Sequence, residues 1–342
     1  MSGIKNVFTF CSYIPEEIIM AFGFNPVRVM GNGRPISKAN GFLPTNVCSF
    51  ARNCYDYIAE NEEQTFGYIF ANSCHAMESL YEVIRESMNR KNCYILNVPR
   101  DCSMLSVEYF TEELEGLIEF FEKLLALPFE ESKLIESINK VNQKRILRKN
   151  IEDLIANKEL YLCSSEYMNL VNLYHSDTEK FLTEATHKLD NKCYNFNGPR
   201  IMLSGSVCAP FDLGSLVEDC GGKVVLYDTC NGIRQTTSII ETDTDGDILK
   251  AVAKSYLSKP VCARYNDINQ KVEEIEAYIE KYSIDAVIFS AMKFCTDQSY
   301  GIISVTDKLK EKGIPFLFLD SEYLKNCSGQ VLTRVQTFLE QM

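Results

Sequence analysis

Short apolar runs alternate with amphipathic stretches in two separate blocks of this chain, and that alternation restricts the fold to parallel sheets covered by helices. In the first block it predicts strands over 6–10, 26–30, 67–71 and 93–98, and helices over 15–22, 48–60 and 75–88. Pro15 opens the first helix and Gly23 stops it. From Ser106 to about Lys188 the signal changes to long charged segments, VEYFTEELEGLIEFFEKLLA and ESKLIESINKVNQKRILRKNIEDLI, which read as helices. At Pro199 the alternation resumes, with strands over 200–203, 223–227, 285–291 and 314–320 and helices over 211–220, 272–283, 302–313 and 331–342. A chain of 342 residues exceeds one ordinary core. The expected fold is α/β: an N-terminal domain over 1–105, a helical connecting region over 106–195 and a C-terminal domain over 196–342.

The two blocks echo one another. Cysteine, proline, helix, glycine and strand follow in that order in CSYIPEEIIMAFGFNPVRVMG and in VCAPFDLGSLVEDCGGKVVLYD. Later in each block a strand runs into a cysteine, at Cys74 in YIFANSC and at Cys295 in AVIFSAMKFC. In open parallel sheets ligand-binding residues gather past the carboxyl ends of strands, and both cysteines fall there, each followed by a helix. A helix N-terminus favours a thiolate, the form a metal requires.

Fourteen cysteines stand against three histidines, and no CxxC pair occurs. A His-rich zinc site is therefore poorly supported, and soft all-thiolate ligation is the better metal hypothesis. Buried thiols behaving as small hydrophobes are the competing explanation, and Cys93, Cys163 and Cys220 fit it. Cys48 and Cys54 lie six apart on one predicted helix; Cys48 sits at its amino end, and Cys54, about 1.7 turns on, points elsewhere. Cys48, Cys74 and Cys295 thus make a candidate set of three ligands, which would leave one iron open for chemistry, with buried structural thiols as the standing alternative. Lys+Arg 35 against Asp+Glu 47, with no basic stripe, argues against nucleic acid. No window approaches a membrane span and the first residues lack a signal-peptide core, so a cytoplasmic protein is expected.

Six segments in order resemble one family. The 11–31 segment is similar to the N-terminal signature of the iron–sulfur 2-hydroxyacyl-CoA dehydratases and benzoyl-CoA reductases, NVCSFARNC to their first cluster-cysteine segment and ANSCHAMESLYEV to the second, with His75 where aspartate is usual. LSGSVCAPFDLGSLVEDCGGKVVLYDTCNGIR resembles the family's strand, helix and Asp-x-Cys-x-Gly-x-Arg loop through Asp228, Cys230, Gly232 and Arg234. IFSAMKFCTD looks like the third ligand segment, and SGQVLTRVQTFLE like the C-terminal helix.

The resemblance implies two Rossmann or flavodoxin-like domains with a 4Fe-4S cluster in the cleft between them. It implies an acyl-CoA substrate, a homologous partner subunit in a homo- or heterodimer, and a separate ATP-hydrolysing iron–sulfur activator that drives one electron into the cluster. The electron would pass to a thioester carbonyl, giving a ketyl radical anion that expels a neighbouring hydroxyl or is reduced further. One alternative is the double-cubane branch, ATP-dependent reductases of small molecules with an 8Fe-9S cluster; two bridged cubanes need about six thiolates, and Cys11, Cys54, Cys102, Cys208 and Cys230 supply the extra candidates. Another is a non-catalytic partner subunit. Ser12, Glu17 and His75 are the catalytic candidates, against bland readings as helix cap, first-turn acid and lone histidine. Arg234 is a candidate for CoA phosphates or for a structural ion pair.

Overall fold

The structure, a computed structural model, describes residues 5–88, 92–207, 213–236, 238–242, 246–265, 267–324 and 328–342. Two four-stranded sheets form its framework. The first contains β1 (Asn6–Thr9), β2 (Asn25–Arg28), β3 (Thr65–Ala71) and β4 (Cys93–Leu96), in the order β2-β1-β3-β4. The second contains β5 (Arg200–Gly205), β6 (Lys223–Asp228), β7 (Ala286–Met292) and β8 (Phe316–Ser321), in the matching order β6-β5-β7-β8. Every pairing is parallel, as the sequence predicts. β5 and β6 are buried at every position, which is why they read as continuous apolar runs rather than as alternating ones.

Twelve α-helices are seen among the described residues: α1 (Glu16–Ala21), α2 (Ser49–Glu60), α3 (His75–Ser87), α4 (Met104–Leu125), α5 (Glu131–Ala156), α6 (Ser164–Ser176), α7 (Thr178–Asp190), α8 (Leu213–Asp219), α9 (Ile248–Leu257), α10 (Ile268–Tyr282), α11 (Thr296–Glu311) and α12 (Gly329–Leu339). The start of the helix expected over 211–220 lies outside the described residues. The charged middle of the chain forms α4 to α7. α4 begins where the Ser103 hydroxyl accepts the Ser106 N–H and ends at Ala126 in the left-handed region.

Two departures from the sequence expectation matter for the site. α11 starts six residues earlier than the apolar spacing predicts, because Cys295 occupies its N-cap and the polar Thr-Asp-Gln-Ser turn that follows is already helical. α9 has no counterpart in the sequence reading. Capped by the Asp247 carboxylate on the Leu249 and Lys250 N–H groups, it buries Val252, Ala253 and Tyr256 in a core shared with Ile18 of α1 and with Phe110 and Leu114 of α4. The second half of the chain thereby lends a helix to the first sheet. A second core runs without interruption from Phe8 and Phe70 of the first sheet to Ile201 and Val287 of the second.

Candidate functional site

In a doubly wound sheet the crevice opens past the carboxyl ends of the two strands between which the winding reverses, here β1 and β3 in one sheet and β5 and β7 in the other. Cys11 and Ser12 follow β1, Cys74 follows β3, Ser206 and Val207 follow β5, and Cys295 follows β7; all of them line one cavity. Cys48, Cys230 and Cys262 complete its wall, so six thiols surround a single space.

The six divide into two sets. Cys48, Cys74 and Cys295 are the N-cap residues of α2, α3 and α11. Backbone N–H groups of those helices favour the thiolates, from Phe50 and Ala51 at Cys48, Met77 at Cys74 and Gln298 at Cys295, although no sulfur makes a full capping hydrogen bond. Three helix N-termini thus converge on one triad. Burial dominates the free thiols nonetheless, pushing Cys48 up to about 11 and Cys74 and Cys295 also upward. The sulfurs sense one another as well: Cys295 raises Cys48, and both of these raise Cys74. Phe294, just ahead of Cys295, is held at φ 65, a costly conformation for a bulky residue next to a functional position.

Cys11, Cys230 and Cys262 form the second set. The Cys230 and Cys262 thiols share a hydrogen bond that raises Cys230 and lowers Cys262; burial raises both, and Arg234, the Arg264 N–H and Lys259 also favour the Cys262 thiolate. Lys259 faces all three sulfurs. Its ammonium donates to the Ser12 hydroxyl at 2.6 Å and lies 3.5 Å from the Tyr13 ring centre. Burial drags its pKa down to about 7 against the upward pull of Cys11 and Cys262.

The Cys230 loop is fixed by a buried ion cluster. Asp228, with no exposed surface, accepts from Arg234 Nε at 2.7 Å, Arg234 Nη2 at 2.8 Å, Lys271 Nζ at 2.7 Å and Ser204 Oγ at 2.6 Å. Burial alone would raise its carboxyl, but Arg234 and Lys271 outweigh that and hold it at about 2. Arg234 is therefore a structural partner here, also donating to the Gly205 carbonyl at 2.7 Å. A side chain at Gly232 would collide with the Tyr227 carbonyl, which explains the glycine of that motif.

Of the other sequence candidates, Cys54 is fully buried in α2, its sulfur 3.9 Å from the Val29 carbonyl and off the cavity wall. Cys54→Ala is expected to cost on the order of 1 kcal/mol in a denaturant titration and to leave bound iron unchanged. Cys102 is exposed, accepting the Tyr265 hydroxyl at 3.3 Å. Cys208 lies outside the described residues. Glu17 is buried against Arg145 and accepts the Tyr256 hydroxyl at 2.7 Å, away from the cavity. His75 is exposed beside Glu78, while Ser12 is on the cavity wall.

Sequence reasoning missed Cys262. It follows no strand, and the helix before it, α9, was passed over. One signal was available: Cys262 precedes α10 in the second half as Cys48 precedes α2 in the first. Also unforeseen were Arg28, Lys259 and Arg264, three buried cations at this site that make no ion pair with a carboxylate among the described residues.

Among the described residues no group of three or more His, Cys, Asp or Glu is placed to hold a single metal ion. Thiols spread around a cavity suit a multi-iron cluster instead, whose irons each meet a different sulfur.

Known proteins resemble the chain over nearly its whole length. A family model described as 2-hydroxyglutaryl-CoA dehydratase, D-component, matches residues 11–342. The (R)-phenyllactyl-CoA dehydratase beta subunit of Clostridium sporogenes is 21% identical, covering 96% of this chain and 89% of its own length. A benzoyl-CoA reductase subunit of Thauera aromatica is 23% identical over 93% of this chain and 85% of its own. The lactoyl-CoA dehydratase subunit beta of Anaerotignum propionicum is 20% identical over 96% and 90%. Parallel sheets in matching order, cysteines past the strand ends and a match over nearly the whole length together place this chain in the 2-hydroxyglutaryl-CoA dehydratase D-component family.

Proposed function

We propose that this chain is the iron–sulfur subunit of a dehydratase or reductase of that family, working by one-electron chemistry, and that its cluster is of the double-cubane 8Fe-9S type. The observation that carries the cluster assignment is the count and grouping of thiols: six around one cavity, in two sets of three. Two cubanes joined through a shared sulfide need three protein thiolates each. A single 4Fe-4S cubane on Cys48, Cys74 and Cys295 would leave Cys11, Cys230 and Cys262 beside it without a role.

A cluster of this kind supplies strongly reducing single electrons when bound. The remaining work falls to the chain. Phe10, Phe50, Met77 and Met292 give the cavity an apolar wall that excludes water. Arg28, Arg264 and Lys259 present positive charge to an anionic occupant, and the Ser12 hydroxyl orients the Lys259 ammonium. Buried cations without acid partners are costly unless something negative completes the site.

A homologous partner subunit belongs to this reading, because the relatives are named as subunits; an ATP-driven activator belongs to it as what the family resemblance implies. Both substrate classes are tested together. Iron-loaded protein with such an activator and ATP is offered 2-hydroxyacyl-CoA thioesters, benzoyl-CoA and small unsaturated molecules. ATP-dependent conversion of any of them supports an enzymatic role; activator turnover of ATP with none converted marks the chain as a non-catalytic partner.

A further inference from the structure

The loop that carries Cys230 is held by side chains from outside the second half of the chain. Arg28, at the end of β2, donates to the Cys230 carbonyl at 2.7 Å and to the Gln235 side chain. Arg148 of α5 donates to the Gly232 carbonyl at 2.5 Å through one guanidinium nitrogen and to the Glu152 carboxylate at 3.1 Å through another. Between them, the His175 ring of α6 faces the Asn231 backbone. Three successive loop residues are therefore met by three buried side chains, each from a different element.

The same turn of α5 grips the segment behind Cys11. Lys144 donates to Glu16 at 2.6 Å, and Arg145 pairs with Glu17, both acids in the first turn of α1. Lys144, Arg145 and Arg148 are all buried, and the Tyr174 ring packs against Lys144 at 4.3 Å and Arg148 at 5.0 Å. Residues 144 and 148 stand one above the other on a helix, a rise of about 6 Å. One rigid turn thus ties α1, just after Cys11, to the Cys230 loop.

The ion pair of Arg148 does not explain this arrangement. Glu152 lies on α5 itself, so pairing with it stays within the helix and leaves the loop untouched. The bond that crosses to the site is the one to Gly232. A planar guanidinium can hold the carboxylate and the carbonyl at once, which a single ammonium does less well.

Resting on the double-cubane reading, we infer that Arg148 is a positioning residue for the second thiol set: through the Gly232 carbonyl it fixes the Cys230 loop against the segment that carries Cys11, so that these sulfurs are spaced to receive the second cubane. Cys48, Cys74 and Cys295 stand at the starts of their own helices and do not depend on this bond.

Two substitutions separate the loop bond from the ion pair. Glu152→Gln gives up the ion pair and keeps the Gly232 bond; Arg148→Lys keeps a charge beside Glu152 and gives up the fork. Both are purified without oxygen beside Arg148→Met and compared by iron and sulfide analysis, denaturant titration and amide hydrogen exchange. Glu152→Gln is expected to keep about eight irons per chain, while Arg148→Lys and Arg148→Met fall to about four. Exchange should quicken across 230–236 in the two Arg148 variants and stay unchanged at the starts of α2 and α3. If Arg148→Met fails to fold, Arg148→Lys against Glu152→Gln decides. Iron loss in Glu152→Gln, or full iron in folded Arg148→Lys, would overturn the inference. Failure of the underlying reading shows separately, as an iron content near four or zero in the unsubstituted protein.

Discussion

Cys262→Ala is expected to cut the iron bound per chain from about eight to about four or fewer while leaving a folded protein. The same loss is expected for Cys11→Ala and Cys230→Ala, and for Cys48→Ala, Cys74→Ala and Cys295→Ala on the other side. Cys262 is the most informative because a single cubane on the helix-cap triad makes no use of it. Anaerobic iron and sulfide analysis of the variant, with far-UV circular dichroism to check folding, is the measurement. Full iron in Cys262→Ala would remove the second triad as a ligand set. The thiols that burial keeps protonated must also lose their protons on loading, so reconstitution from unbuffered apoprotein should acidify the solution.

Asp228→Ala should be the most damaging substitution outside the cysteines. It leaves Arg234 and Lys271 buried side by side with no counter-charge, a change that typically costs about 3–5 kcal/mol and is enough to unfold many domains. Denaturant titration of wild type and variant reads the loss directly. The pH dependence follows from the same cluster. The Asp228 carboxyl is held below its unfolded value, at about 2, so its contribution is complete above the ordinary carboxylate range, near pH 4, and disappears as pH falls towards 2. Wild type should lose stability across that window. A fold-competent variant lacking the carboxylate should lose less there.

Much of the framework was legible because parallel strands buried on both faces leave long apolar runs, and β5 and β6 show this well. The repeat of strand, cysteine and helix made Cys74 and Cys295 visible for the same reason: equivalent places in two equivalent sheets carry equivalent residues. What stayed hidden depends on contacts far apart in sequence. α9 is short, and its apolar face pairs with α4, more than a hundred residues earlier, so nothing local marked its role. Cys262, just beyond it, inherited that invisibility. Arg28, Lys259 and Arg264 drew no comment, since a sequence does not show that a charged side chain has been turned inward. Glu17 shows the reverse case, a candidate catalytic acid whose place opposite Arg145 and Tyr256 only the packing of α1 against α5 reveals.

The most direct test of the account is the iron and acid-labile sulfide content of the chain purified without oxygen from anaerobically grown cells. A brown protein with about eight irons and nine sulfides per chain is the predicted result, bleaching on exposure to air. About four irons would reduce the site to one cubane on Cys48, Cys74 and Cys295, and a colourless or zinc-loaded protein would contradict the iron–sulfur assignment itself.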